Sequence, residues 1–212
     1  MQPDGMPACP STVAILRGIE PERVVETGRA LFEAGIRAIE VPLNSPRPFE
    51  SIANLAADLG TACLCGAGTV LDVAGVRQAH DAGARLIVAP NTNPEIIAAA
   101  RERQMVVMPG FVTPTEAFAG LEAGATILKF FPAASFGPAY LKALKAVLPK
   151  HAQVYAVGGV GAEHVAAWVA AGASGFGFGS ELFRPDYSLQ DIGTRARRLV
   201  EAVDNAVKTQ DQ

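Results

Sequence analysis

The chain has 212 residues, half of them hydrophobic, and a formal net charge of −3 at pH 7. That composition suffices for one well-buried domain. It carries no long basic run, which excludes the electrostatic footprint of a nucleic-acid or anionic-membrane binder, and no apolar stretch long enough to span a bilayer.

Residues 1–11 hold three prolines, an aspartate and no apolar core. They predict a short N-terminal tail and not a signal peptide. From residue 12 onward, runs rich in valine and isoleucine alternate with helix-periodic segments. Strands are expected at 12–18, 38–44, 63–70, 86–91, 106–111, 127–133, 153–160 and 175–180. Helices are expected near 21–34, 47–58, 72–82, 94–103, 115–123, 138–148, 162–171 and 189–205. Val24, Gly28, Leu31 and Phe32 follow the helix period, as do Leu141, Leu144 and Leu148. Pro138 suits a first helical turn, and Pro149 stands where that helix must stop. Arg195, Arg197 and Arg198 are spaced among apolar residues, as on the solvated face of a terminal helix.

An Ala-Gly step recurs at Ala34-Gly35, Ala82-Gly83, Ala123-Gly124 and Ala171-Gly172, each at a helix end before a strand. A left-handed glycine there turns the chain back into the sheet. This recurring helix-to-strand unit predicts an α/β fold, a compact single-domain (β/α)8 TIM barrel over 12–205 with a C-terminal tail at 206–212. An open doubly wound sheet is the competing topology. No G-x-G-x-x-G opens the first unit, which weakens its dinucleotide-binding version.

The three cysteines, Cys9, Cys63 and Cys65, lack C-x-x-C spacing, and His80, His151 and His164 lie far apart. Neither pattern resembles a protein-built metal site, so no metal and no cofactor is expected. The histidines read as solvated surface residues. A reducing cytoplasm fits this cysteine usage.

Within the predicted strands the charges are Arg17 on the first, Glu40 on the second and Lys129 on the sixth. A parallel strand is buried on both faces, where a solvated ammonium does not belong. Lys142, Lys145, Lys150 and Lys208 fall in helices, a loop or a tail. Lys129 could snorkel from a strand end or serve a structural ion pair. Alternatively, a desolvated lysine loses its proton more easily and becomes a nucleophile toward carbonyls. The period of two separates Lys129 and Phe131 from Leu128 and Phe130, and Glu40, Pro42 and Asn44 from Ile39, Val41 and Leu43. Arg17 shares a face with Val13 and Ile15. All three charges can therefore point into the barrel, toward the strand ends where such folds hold their sites.

In that arrangement Lys129 would attack a ketone to form a carbinolamine and then a Schiff base. Glu40 would move protons. Arg17 would pair with a substrate carboxylate or with Glu40, and would lower the amine's pKa by like-charge repulsion. The third strand ends in Gly66-Ala67-Gly68-Thr69, which permits close backbone approach or merely tight packing. The seventh and eighth strands end in Gly158-Gly159 and Gly179-Ser180, where barrels commonly bind phosphate; ordinary turn glycines are the alternative. A phosphate-binding barrel isomerase or decarboxylase with Lys129 as a non-covalent acid is the second enzymatic reading. A sugar-phosphate sensor is the non-enzymatic one.

The segments Val13-Ala14-Ile15-Leu16-Arg17-Gly18, Ile39-Glu40-Val41, Gly66-Ala67-Gly68-Thr69-Val70 and Ile87-Val88-Ala89-Pro90-Asn91 form a set with three others. These are Met108-Pro109-Gly110, Leu128-Lys129-Phe130-Phe131-Pro132-Ala133 and Gly158-Gly159-Val160. In collinear order the set resembles the class I aldolases of 2-keto-3-deoxy-6-phosphogluconate and 2-keto-3-deoxy-6-phosphogalactonate. The resemblance implies a homotrimeric barrel that cleaves a phosphorylated keto-acid to pyruvate and D-glyceraldehyde 3-phosphate, with no nucleic-acid or membrane partner. It implies that Lys129 forms the Schiff base and Glu40 is the acid/base. Arg17, Thr69, Pro90 and Phe131 would line the pyruvate end, and Gly158, Gly159, Gly179 and Ser180 the phosphate end.

Glu40-Val41-Pro42-Leu43-Asn44-Ser45-Pro46 and Val157-Gly158-Gly159 are similar to the galactonate branch of that family. The gluconate branch typically reads Glu-Val-Thr-Leu-Arg-Thr and Thr-Gly-Gly. Val157 lacks a hydroxyl that could bond one C4 epimer, though an apolar side chain rejects a misplaced hydroxyl only modestly. The expectation is therefore 2-dehydro-3-deoxy-6-phospho-D-galactonate as substrate, with the gluconate epimer as the alternative. Phe111-Val112 departs from the smaller residues expected on one wall of that branch's pocket.

Overall fold

The computed structural model describes residues 9–210. The strands are β1 (Thr12–Ile15), β2 (Ala38–Pro42), β3 (Leu64–Gly68), β4 (Leu86–Val88), β5 (Val106–Met108), β6 (Gly110–Phe111), β7 (Ile127–Phe130), β8 (Gln153–Val157) and β9 (Gly175–Phe178). The helices are α1 (Pro21–Glu33), α2 (Pro48–Leu59), α3 (Val73–Asp81), α4 (Pro94–Glu102), α5 (Pro114–Glu122), α6 (Ala133–Lys145), α7 (Val165–Ala170) and α8 (Leu189–Gln210).

Every strand pairing is parallel, in the order β5-β4-β3-β2-β1-β9-β8-β7-β6. The expected strand 106–111 is split at Pro109, which has no N–H to give the ladder. Its first half pairs with β4 and its second with β7. The Lys129 N–H donates to the Pro109 carbonyl at 2.8 Å across the split. β5 and β6 are thus one bent barrel strand, and the sheet closes as a (β/α)8 TIM barrel.

The helix boundaries are written in the sequence. Pro21, Pro48, Pro94 and Pro114 each open a helix, where a missing N–H costs nothing. Asp72 and Asn93 cap α3 and α4, and Thr113 with Glu116 forms a capping box on α5. Gly35, Gly83, Gly124 and Gly172 are all left-handed, at φ between 89° and 100°, which accounts for the recurring Ala-Gly step. Helix α6 differs from its expected range. It begins as a turn at Ala133 and breaks at Gly137 (φ 80°), and Pro138 then opens the longer part. The terminal helix continues to Gln210 instead of stopping at 205.

Two apolar layers follow from the strand alternation. The outer one packs Ile39, Val41, Ala67, Ile87, Leu128, Phe130 and Phe176 against the helices. The inner one fills the barrel with Val13, Ala38, Leu64, Leu86, Val106, Met108, Ile127 and Tyr155. At the bottom, the Tyr155 hydroxyl donates to the Cys9 carbonyl at 3.0 Å. Cys63 and Cys65 point outward, buried beneath the helices. His80, His151 and His164 are exposed, as are Arg195, Arg197 and Arg198. No described helix is long and apolar enough to cross a membrane.

Candidate active site

Among the described residues, the charged side chains that are fully buried are Glu40 and Lys129. Glu40 is central in β2 and Lys129 central in β7, both in the inward phase. Their strands carry them to the C-terminal half of the barrel, above the plug formed by Val13, Leu64, Ile127 and Tyr155.

Lys129 is 4% exposed. Burial holds its ammonium below the ordinary lysine range, and the Arg17 charge adds to the effect while Glu40 opposes it. Its Nζ lies 4.7 Å from the centroid of the Phe131 ring. Glu40 is pushed up to about 7 by burial, against the pull of Lys129 and Arg17. Its Oε2 is buried with no hydrogen-bond partner. Gly68 makes room for this carboxylate, because a Cβ there would overlap it. The amine and the carboxyl group are thus each shifted toward neutrality, the state needed for attack on a carbonyl and for proton transfer near pH 7.

Arg17 departs from expectation. Strand β1 ends at Ile15, and the chain turns at Gly18 (φ 82°), so Arg17 is exposed at the rim and not inside a strand. Its guanidinium donates to Asn44 Oδ1 at 2.6 Å and to Thr69 Oγ1 at 3.3 Å, and makes no ion pair with Glu40. The buried Ser45 hydroxyl accepts from the Gly18 N–H at 2.9 Å and ties the β1 and β2 loops together. No motif marks Asn44 as the partner of Arg17 or Ser45 as the partner of Gly18; two polar residues after a buried strand are the available signal.

Lys129 and Arg17 open into a cleft of about 560 Å³, and Glu40 lies outside the residues that line it. Ile15, Phe131, Val157 and Gly177 line it with them, as do Gly158, Gly159, Gly179 and Ser180. Gly158 and Gly159 are both left-handed, at φ 95° and 74°. Added side chains there would meet the Phe131 ring and Ala134. Past β9, the Gly179 carbonyl accepts from the Leu182 and Phe183 N–H groups, each at 2.9 Å, in a single turn. Thr69 joins the cleft through Arg17. Pro90 lies at the end of β4, outside the residues that bound the cleft. Phe111 does not form a pocket wall: it is packed outward, 5.6 Å from Phe130. Glu181, Phe183, Arg184 and Pro185 also line the mouth, unmarked by any motif.

A second groove, of about 580 Å³, runs between α1 and α8. It is lined by Glu22, Glu26, Arg29, Glu33 and Arg197 and receives no strand end. Among the described residues, no group of three His, Cys, Asp or Glu side chains could hold a metal ion.

The family model for KDPG and KHG aldolase matches residues 10–193. A probable 2-dehydro-3-deoxy-6-phosphogalactonate aldolase of Rhizobium meliloti is 47% identical over 91% of this chain and 91% of its own. The 2-dehydro-3-deoxy-6-phosphogalactonate aldolase of Escherichia coli is 46% identical over 92% of this chain and 96% of its own. A solved structure described as "Native KDPGal structure" superposes with a TM-score of 0.93 at 44% identity, covering 95% of this chain and 98% of that one.

Proposed function

Because the chain belongs to the KDPG and KHG aldolase family, we propose that it cleaves 2-dehydro-3-deoxy-6-phospho-D-galactonate reversibly to pyruvate and D-glyceraldehyde 3-phosphate. The observation that carries this reading is the pair of buried ionisable groups, the Lys129 amine and the Glu40 carboxyl, on the inner surface of one barrel end.

The geometry supports the following sequence. Neutral Lys129 attacks the C2 ketone, and the lost carbonyl oxygen leaves as water with protons relayed through Glu40. The resulting iminium draws in the electron pair of the C3–C4 bond. As that bond breaks, Glu40 accepts the C4 hydroxyl proton and the aldehyde leaves. Protonation of C3 and hydrolysis then release pyruvate and regenerate the amine. In this reading Arg17, held by Asn44 and Thr69, binds the substrate carboxylate beside Phe131. Gly158, Gly159, Gly179 and Ser180 offer backbone N–H groups and a hydroxyl to the phosphate.

Val157, 4% exposed beside Gly158, supports the galactonate preference. We assign residues 12–205 to the catalytic barrel; residues 1–8 of the expected tail lie outside the described residues. We also propose a homotrimer in the cytoplasm. Exposed Phe118 and Phe136 are available for subunit contacts, and the free cysteines suit a reducing compartment. Release of pyruvate from the two C4-epimeric phospho-acids tests the function. Higher kcat/KM for the galactonate epimer is expected; a strong gluconate preference would overturn the branch assignment, and no pyruvate from either would overturn the activity.

A further inference from the structure

The cleft has two charged residues, Glu181 and Arg184, that the chemistry above leaves unused. Between the turn after β9 and the start of α8 runs a loop fastened from several sides. Arg23 on α1 donates to the carbonyls of Pro185 and of Tyr187, the latter at 3.0 Å. Gly18 packs against Pro185 so closely that an added Cβ would lie 3.2 Å from its ring. Arg195 on α8 reaches the Glu181 carbonyl at 3.3 Å and lies 4.4 Å over the Tyr187 ring. The backbone at position 184 is therefore fixed to the rim.

The side chain of Arg184 has no such commitment. It is exposed, stands 5.7 Å over the Tyr187 ring, and makes no ion pair with any described residue. It nonetheless lines the same cleft as Gly158, Gly159 and Ser180. Other rim arginines are engaged: Arg47 with Glu22 and Glu50, and Arg17 with Asn44 and Thr69. Glu181 brings a carboxylate to the same mouth, so an anion entering there meets both signs of charge.

We infer that Arg184 selects a phosphorylated substrate over its unphosphorylated counterpart, by pairing its guanidinium with the phosphate dianion held at the glycine turns. The inference rests on the aldolase reading for the substrate's identity. Backbone N–H groups offer a phosphate only partial charges. A guanidinium adds a full charge in a planar fork that matches phosphate oxygens. Arg17 then reads the carboxylate end and Arg184 the phosphate end. Without Arg184, the dianion would face Glu181 uncompensated.

The test compares wild type, Arg184→Gln, Arg184→Lys and Glu181→Gln in the condensation of pyruvate with D-glyceraldehyde 3-phosphate or with D-glyceraldehyde. Calorimetry with glycerol 3-phosphate measures binding independently of turnover. Arg184→Gln should lose roughly 10- to 100-fold in kcat/KM for the phosphorylated aldehyde and retain its rate with the unphosphorylated one. Arg184→Lys should recover part of the loss, and Glu181→Gln should favour the phosphorylated aldehyde further. An unchanged ratio between the aldehydes in Arg184→Gln overturns the inference. If wild type condenses neither aldehyde, the aldolase reading fails and calorimetry decides alone. Loss of glycerol 3-phosphate binding in Arg184→Gln then sustains the role of Arg184; equal binding, or none in wild type, overturns it.

Discussion

Gly68 on β3 and Glu40 on β2 share one space: a side chain at position 68 would overlap the Glu40 carboxylate. The glycine is what allows a carboxyl group to stand inside the barrel beneath the cleft. Gly68→Ala is expected to displace Glu40 and lower kcat/KM by on the order of 10²-fold or more, the scale of a lost general acid/base. Steady-state kinetics with circular dichroism, to verify that the barrel still forms, checks this.

Burial pushes Glu40 up to about 7, above the ordinary carboxyl value of 4.5. The folded state therefore favours the protonated form. The stability this contributes is fully present below about pH 4.5 and is lost as pH rises through about 7, a span worth about 3 kcal/mol. Glu40→Gln should consequently gain in Tm relative to wild type at pH 8 and show little gain at pH 4.5. An equal difference at both pH values would mean that Glu40 is not held protonated by burial.

Asn44 Oδ1 accepts from Arg17 at 2.6 Å, and Arg17 is otherwise an exposed rim side chain. Asn44→Ala should loosen the guanidinium and raise KM for the keto-acid roughly 5- to 10-fold, the worth of one charge-assisted hydrogen bond, with kcat little changed. A fall in kcat with KM unchanged would assign Asn44 to the chemical step instead.

Val157 is buried beside Gly158 and borders the cleft. Val157→Thr restores a hydroxyl of nearly the same shape. It should move the ratio of kcat/KM for the two C4 epimers toward gluconate by roughly 10-fold, since a pocket hydroxyl discriminates only when it finds a partner. Measuring both epimers on both proteins gives that ratio directly.

What could be read from the sequence followed local periodicity. The inward phase of Lys129 and Glu40 comes from the period of two in strands whose alternate residues, Leu128, Phe130, Ile39 and Val41, are all apolar; the structure puts those four under the helices. The left-handed glycines were legible because the same step ends four helices. Arg17 was placed in a strand because Val13 to Leu16 is uniformly apolar, yet the chain leaves the ladder at Ile15 to reach the turn at Gly18. The bend at Pro109 and the outward packing of Phe111 depend on which neighbours the closed sheet supplies. Arg184 was not legible: its position at the cleft depends on Arg23, which lies far away in sequence and fastens the loop by its carbonyls.

The central claim is that Lys129 forms a Schiff base with the keto-acid. Incubation with pyruvate and borohydride, followed by peptide mass mapping, tests it most directly. The expected result is a reduced pyruvate adduct on the peptide carrying Lys129, absent without pyruvate and absent in Lys129→Met. An unmodified Lys129 in protein that still cleaves its substrate, or an adduct on Lys142, Lys145 or Lys150 instead, would contradict it.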